Sequence, residues 1–365
     1  SYLFNEALKV EILKNEIGTG YSNAWGAAGG TIGTGSGALT ALVFLLLLFV
    51  GYRKTSARQM KKDRSGNLES YGDITRILFF TVVPVIVSSA IYNVNSVIDN
   101  GLLAANFASL GREAQFAADW GVYTGKYHLL INVPMAVSNA LSSSLIPSVS
   151  RAVAEGDRKK IRARITAAIR FSMLIAIPST VGLTVLAGPI NNLLFSGDNS
   201  LAIQMTLYGS IAVIFYSLST VTNAILQGID KMHLPIIHAL IALVLHIGVL
   251  EVMALIMDLG IYSMVYANIA FALIMCVLNH WAIRRTIGYH QEIKKTFVIP
   301  TVSAAVMGVC TFGVYKLIFM VIKSNAIATM VSIAAAVAVY GVLLIKLKCM
   351  DEDELRQMPG GTRLL

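Results

Sequence analysis

Tyr123 to Arg170 reads YTGKYHLLINVPMAVSNALSSSLIPSVSRAVAEGDRKKIRARITAAIR. Its first half is apolar and long enough to cross a bilayer, yet it carries Asn132, Ser138, Asn139, Ser142, Ser143 and Ser144. Its second half is basic and helix-forming, with Asp157 placed to cap a helix start, and cannot enter lipid. A polar stripe inside a membrane helix, followed by a cytoplasmic basic helix, points to a transporter with a wet interior.

Working outward, the whole chain has this character. Hydrophobic residues make up 56% of the 365 and charged residues 13%, where soluble domains carry roughly 25% charge. Mean hydropathy is +0.68. That much apolar surface must use lipid as part of its solvent. The net charge of +9 does not mark a nucleic-acid binder, because the basic residues sit in short segments between apolar runs. Cys276, Cys310 and Cys349 show neither zinc nor disulfide spacing, and no cofactor or metal is expected.

The apolar runs predict about nine crossings: residues 27–50, 77–98, 126–149, 171–195, 203–227, 234–256, 261–283, 297–321 and 326–345. The glycines of the first run, Gly26 to Gly37, are read as small-xxx-small helix packing. The connections at 51–76, 99–125 and 284–295 read as loops, the first and last of them basic. With 51–76 placed inside and the sides alternating, 23 of the 29 Lys and Arg fall inside. The positive-inside rule then puts the C-terminus in the cytoplasm. The opening segment, SYLFNEALKVEILKNEIG, begins in mid-pattern, and an odd number of crossings entering from outside predicts further helices upstream.

Three crossings carry polar stripes at helical spacing. Ser88, Tyr92, Asn95 and Asp99 share a face of the second. Asn132, Asn139 and Ser143 share one on the third. Tyr216, Thr220, Asn223 and Gln227 share one on the fifth. Three stripes in one bundle predict a common aqueous cavity, and Lys126 at the outer entrance of the third helix either snorkels or holds an anionic head group. Asp99 has two open readings: a solvated helix end, or a site for a monovalent cation or proton coupled to movement. Glu251, His238 and His246 are the other ionisable groups near membrane depth. The chain has no GxSxG, HExxH or P-loop pattern, so an enzyme is not expected.

The runs VPMAVSNALSSSLIPSVSRAVAEGDRKKIRARI (133–165), RFSMLIAIPSTVGLTVLAGPINNLLF (170–195), FYSLSTVTNAILQGIDKMHLP (215–235), IYSMVYANIAFALIMCVLNH (261–280) and AWGAAGGTIGTGSGALTALVF (24–44) resemble the polysaccharide-export flippases of the stage V sporulation protein B type. These are similar to lipid II flippases of the MurJ type and, more distantly, to multidrug exporters of the same superfamily. The resemblance spans residues 20–350. It implies an all-α membrane protein, the C-terminal part of a two-lobe exporter of 12–14 helices. Residues 1–50 would then be a surface segment plus the last helix of the N-terminal lobe, whose first five helices are expected to be missing. Residues 51–76 would be a cytoplasmic basic linker, 77–290 a six-helix C-terminal lobe, 291–350 two additional transmembrane helices, and 351–365 a cytoplasmic tail.

The function it implies is movement of an undecaprenyl-linked oligosaccharide or peptidoglycan precursor across the bacterial cytoplasmic membrane, with membrane lipids as surroundings and no nucleic-acid partner. The alternatives are a cation-coupled multidrug or metabolite antiporter and a membrane-embedded glycan- or lipid-modifying enzyme. The enzyme would need carboxylates or histidines clustered at one interface, which the sequence does not offer.

Overall fold

The computed structural model describes residues 19–62 and 70–347. All regular structure among them is helical. We number the helices α1 (Thr19–Lys62), α2 (Tyr71–Ser109), α3 (Glu113–Ala154), α4 (Arg158–Val185), α5 (Ala187–Leu194), α6 (Ser200–Gly209), α7 (Ala212–Gly228), α8 (His233–Ile256), α9 (Tyr262–Ile287), α10 (Lys294–Ile322) and α11 (Asn325–Lys346). Single π-helical turns lie within α3 (Tyr123–Tyr127), at the end of α8 (Val252–Ile256) and at the start of α10 (Lys294–Val298).

Two compact units divide between Arg76 and Ile77. In the first, α1 exposes Leu45 to Leu48 and Phe49 by more than half, a surface only hydrocarbon can solvate. A Cβ added at Gly33, Gly35 or Gly37 would meet nothing within 4 Å, so these three glycines make no close approach to another helix among the described residues. The helix continues through Lys62, well into the stretch read as a linker.

The second unit runs from Ile77. Its core joins Val149, Ile165, Met173, Met205, Val213, Val221, Ile225 and Leu250, each fully buried. Contact glycines set the helix spacing. At Gly228 on α7 a Cβ would sit 2.9 Å from Val149 Cβ of α3, and at Gly308 on α10 it would sit 2.7 Å from Val181 Cγ1 of α4. Small residues there let the backbones approach, which is how apolar helices associate where lipid removes the hydrophobic drive.

Seven helices among the described residues are long and apolar enough to cross a membrane, eight if the bent pair α6–α7 is one span. The crossing expected at 77–98 falls within α2, where most side chains from 81 to 93 lie outside the described residues.

Three sequence expectations are corrected. The loop expected at 99–125 is helix, formed by the end of α2 and the start of α3. The 42 residues of α3 would run about 63 Å at 1.5 Å per residue, twice the hydrocarbon thickness, so its polar first turns extend the helix beyond lipid. The basic run Arg158 to Arg170 is likewise continuous with its crossing as α4, capped by Asp157 Oδ1, which accepts from the Lys159 and Lys160 backbone N–H groups, both at 3.0 Å. Gly156, at φ 69°, makes the turn between α3 and α4. Finally, the fifth crossing is broken at Ser210–Ile211, with 52° between α6 and α7.

Candidate functional site

One face of the second unit is hollow. A cavity of about 670 Å³ is lined from α2 by Asn95, Ser96 and Asp99, from α3 by Tyr123, Tyr127, His128, Asn139 and Ser143, from α7 by Tyr216, Thr220, Asn223 and Gln227, and from α9 by Asn268 and Phe271, among others. Among the described residues, none that lines it is Lys or Arg. The volume equals that of about twenty waters at 30 Å³ each and falls within the range of small-ligand sites.

The walls are held by a polar network rather than by apolar packing alone. Tyr216 Oη donates to Asn268 Oδ1 at 2.8 Å, and Asn268 Nδ2 donates to Tyr123 Oη at 3.1 Å and to Met264 O at 2.9 Å. Deeper, Asn279 Nδ2 donates to Asn223 Oδ1 at 2.8 Å and Thr222 Oγ1 at 3.0 Å. His238 Nδ1 lies 2.7 Å from Asn279 Oδ1. Because the Asn279 amide spends its donors on α7, its oxygen must accept, and His238 carries its proton on Nδ1. These bonds tie α7, α8 and α9 together with the π-helical turn of α3. Tyr127 Oη donates to Gly209 O at 3.1 Å, where α6 gives way to α7.

Of the residues singled out from sequence, Asn95, Asp99, Asn139, Ser143, Tyr216, Thr220, Asn223 and Gln227 come together on this cavity. Ser88 and Tyr92 lie outside the residues whose side chains are described.

Two others stand elsewhere. Asn132 is exposed and pairs with His128 Nδ1 at 3.2 Å, so it touches the cavity only through that partner. Lys126 is not among the residues lining the cavity. Its Nζ donates to Asn199 Oδ1 at 2.7 Å and Asp198 O at 3.0 Å, fastening α3 to the turn before α6. Asp198 in that turn is held below the usual carboxylate range by the Ser200 backbone N–H and hydroxyl, with Lys126 adding less. A single cation beside a loop rich in carbonyl and amide oxygens is satisfied locally, which spacing along α3 does not reveal.

Asp99 is not a solvated helix end. Its side chain is 0% exposed, α2 continues ten residues further, and Oδ1 lies 2.6 Å from Nε2 of His246, also 0% exposed. The sequence named both residues as ionisable groups near membrane depth but did not join them, since 147 positions separate them. The signal was available, because a buried charge in a bilayer needs a partner. Tyr123, Tyr127 and His128 were also missed: Tyr123 fell in the stretch read as a loop, and Tyr127 and His128, inside the third crossing, were not counted in its polar stripe.

A family model for the lipid II flippase MurJ matches residues 11–343. This chain belongs to the MurJ family. Stage V sporulation protein B of Bacillus subtilis (strain 168) is 23% identical over 348 residues, covering 94% of this chain and 65% of the relative. Lipid II flippase MurJ of the same organism is 26% identical over 340 residues, covering 89% of this chain and 61% of the relative. The chain therefore spans less than two thirds of the length of these curated relatives. The solved structure of a lipid II flippase MurJ in an inward closed conformation matches with a TM-score of 0.52 at 17% identity, over 79% of this chain and 58% of that one. The MurJ-like fold and the multi-pass membrane character read from the sequence are thus shown, and the family itself is one of transporters.

Proposed function

We propose that this chain is part of a flippase that moves an undecaprenyl-linked oligosaccharide or a lipid II-like peptidoglycan precursor across the bacterial cytoplasmic membrane by alternating access. The observation that carries this reading is the cavity itself: about 670 Å³ walled by Asn, Ser, Thr, Tyr and Gln inside a bundle of apolar helices. A sugar head group cannot cross hydrocarbon unaided, since each unpaired polar group there costs several kcal/mol. Amides and hydroxyls that both donate and accept can replace water around sugar hydroxyls, and the described lining residues include no Lys or Arg. Prolines inside the helices, Pro134 and Pro147 on α3 and Pro178 on α4, give the bends about which such a bundle rocks. The cytoplasmic C-terminus follows from the positive-inside count, and no chemical step on the substrate is part of this reading.

The test is complementation. The gene is expressed in bacteria depleted of their own lipid II flippases, and arrival of lipid-linked precursor at the outer leaflet is scored. Restored arrival supports the reading. Drug efflux without it would favour the antiporter, and neither activity would overturn both.

A further inference from the structure

The turn between α3 and α4 opens on a second hollow, of about 570 Å³. It shares no described lining residue with the cavity. α3 lines it with Ser144, Ser148, Arg151 and Glu155, and α4 with Lys160 and Arg164. Ala152 and Ala163, being small, leave the space between the helices open.

Its charges do not cancel. Lys160 Nζ lies 2.9 Å from Glu155 Oε2 and 3.8 Å from Asp157 Oδ2, so this cation is answered twice. Arg151 and Arg164 are exposed and make no hydrogen bond or ion pair among the described residues. Arg164 acts on Lys160 as a repelling neighbour. Ser148 is half-buried, and its hydroxyl has no partner among the described residues either, whereas Ser144 donates to Leu141 O at 2.8 Å. The start of α4 adds little pull, because Asp157 already accepts from two of its first amides. Two guanidiniums and a hydroxyl make a donor set for carboxylate or phosphate.

Another part of the chain arrives beside this groove. α11 packs antiparallel on α4. At its start Asn325 Nδ2 donates to Pro189 O, just past the end of α4, and further along Tyr340 Oη donates to Leu174 O at 3.1 Å. Leu174 and Ala163 share a face of α4, three helical turns apart, so α11 descends on the groove side. From Leu174 to Arg164 α4 covers about 15 Å, and from Tyr340 to Lys346, where α11 ends, the chain covers about 9 Å. Along the helix axes α11 thus stops roughly 6 Å short of Arg164. The sequence that follows is LKCMDEDELRQ, with Asp351, Glu352, Asp353 and Glu354 in a row. This run lies outside the described residues. The chain from Lys346 to Asp351 reaches up to about 17 Å, enough to bring a carboxylate to Arg164.

We propose that the α3–α4 groove is the docking site of this chain's own acidic run, Asp351 to Glu354, with Arg151 and Arg164 each taking one of its carboxylates. Tethering holds the run near the groove at about millimolar effective concentration, so exposed ion pairs of modest strength suffice. Docked, the run ties α11 to the foot of α3, the helix whose Asn139 and Ser143 wall the cavity. The inference stands on the groove and the run and does not depend on the transport reading.

The test uses the whole chain without Cys276, Cys310 and Cys349, spin-labelled at Met358→Cys just beyond the run, in phosphatidylcholine nanodiscs. The label is expected to move slowly at low salt and to be released by about 0.5 M salt. Arg151→Gln with Arg164→Gln should shift the docked-to-free ratio at least about fivefold toward free. Arg158→Gln with Lys159→Gln, the same loss of charge outside the groove, should shift it less than about twofold. Both variants should keep the unmodified chain's melting temperature. Glutamate at Arg151 and Arg164 together with lysine at Asp351, Glu352, Asp353 and Glu354 should restore docking. A label that moves freely in the otherwise unmodified chain, a slow label indifferent to the groove variant, or equal effects of the two neutralised pairs would each overturn the proposal. Release of the label by phosphatidylglycerol at constant salt would overturn it too, by giving the groove to a lipid phosphate.

Discussion

Replacing Gly209 by alanine sets two rules against each other. Gly209 ends α6 at the break before α7, and helix propensity alone says alanine should gain up to about 1 kcal/mol there. The structure gives the opposite sign. A Cβ at Gly209 would lie 2.3 Å from Tyr127 Oη and 2.6 Å from two of its ring carbons, where ordinary contact begins near 3.4 Å. The ring must retreat by roughly 1 Å, yet Tyr127 is only 3% exposed and is packed against Tyr123. Overpacking of this kind costs about 1–3 kcal/mol, and loss of the Tyr127–Gly209 hydrogen bond about 1 kcal/mol more. Net of propensity, destabilisation of about 1–3 kcal/mol is expected by reversible unfolding of the purified chain in micelles, followed by circular dichroism. In a Tyr127→Ala background the clash is gone, and the same glycine change should cost less than about 0.5 kcal/mol. A stabilised or neutral Gly209→Ala in the native background would refute the reasoning.

Three further outcomes follow from single contacts. Ser138 and Ser172 share a buried 2.9 Å hydrogen bond between α3 and α4, so either serine changed to alanine should cost about 1 kcal/mol in the unfolding assay, while the double change should cost little more. Asp157→Ala removes both bonds at the start of α4 and should lower stability by about 0.5–2 kcal/mol, with Asp157→Ser recovering most of it. Asp198, whose folded carboxylate is depressed by Ser200, contributes stability that is present above its unfolded value of about 3.9 and is lost as pH falls through the folded one. Asp198→Asn should therefore lower stability slightly at neutral pH and remove part of the acid sensitivity, so that the two chains converge below about pH 4.

How far the sequence could be read depended on how local each signal is. Apolar runs between basic segments are local, and they disclosed the helical membrane class, while the MurJ-type fold was implied by the resemblance of the longer quoted runs. Polar residues at helical spacing are local too, so eight positions now found on one cavity could be picked out, Asn139 and Thr220 among them. Pairings between distant positions are not local. Lys126 looks from its own helix like a free cation, and only the fold brings it to Asn199. Asp99 looks like a helix end until α2 is seen to continue and His246 to meet it. The glycines misled for a similar reason: the richest run, Gly26 to Gly37, gives no close approach where its side-chain space is described, whereas the isolated Gly209, Gly228 and Gly308 sit against neighbouring helices.

The central claim is that water fills the space between these helices. It is tested most directly by cysteine accessibility in a variant lacking Cys276, Cys310 and Cys349. Asn139→Cys, Thr220→Cys and Asn223→Cys line the cavity, while Val133→Cys and Val309→Cys, at 65% and 77% exposure, lie on outward apolar faces. The account expects a charged, water-soluble thiol reagent to modify the three cavity positions in membranes and to leave the two apolar ones unmodified. Labelling of the apolar positions, or silence at all three cavity positions, would contradict it.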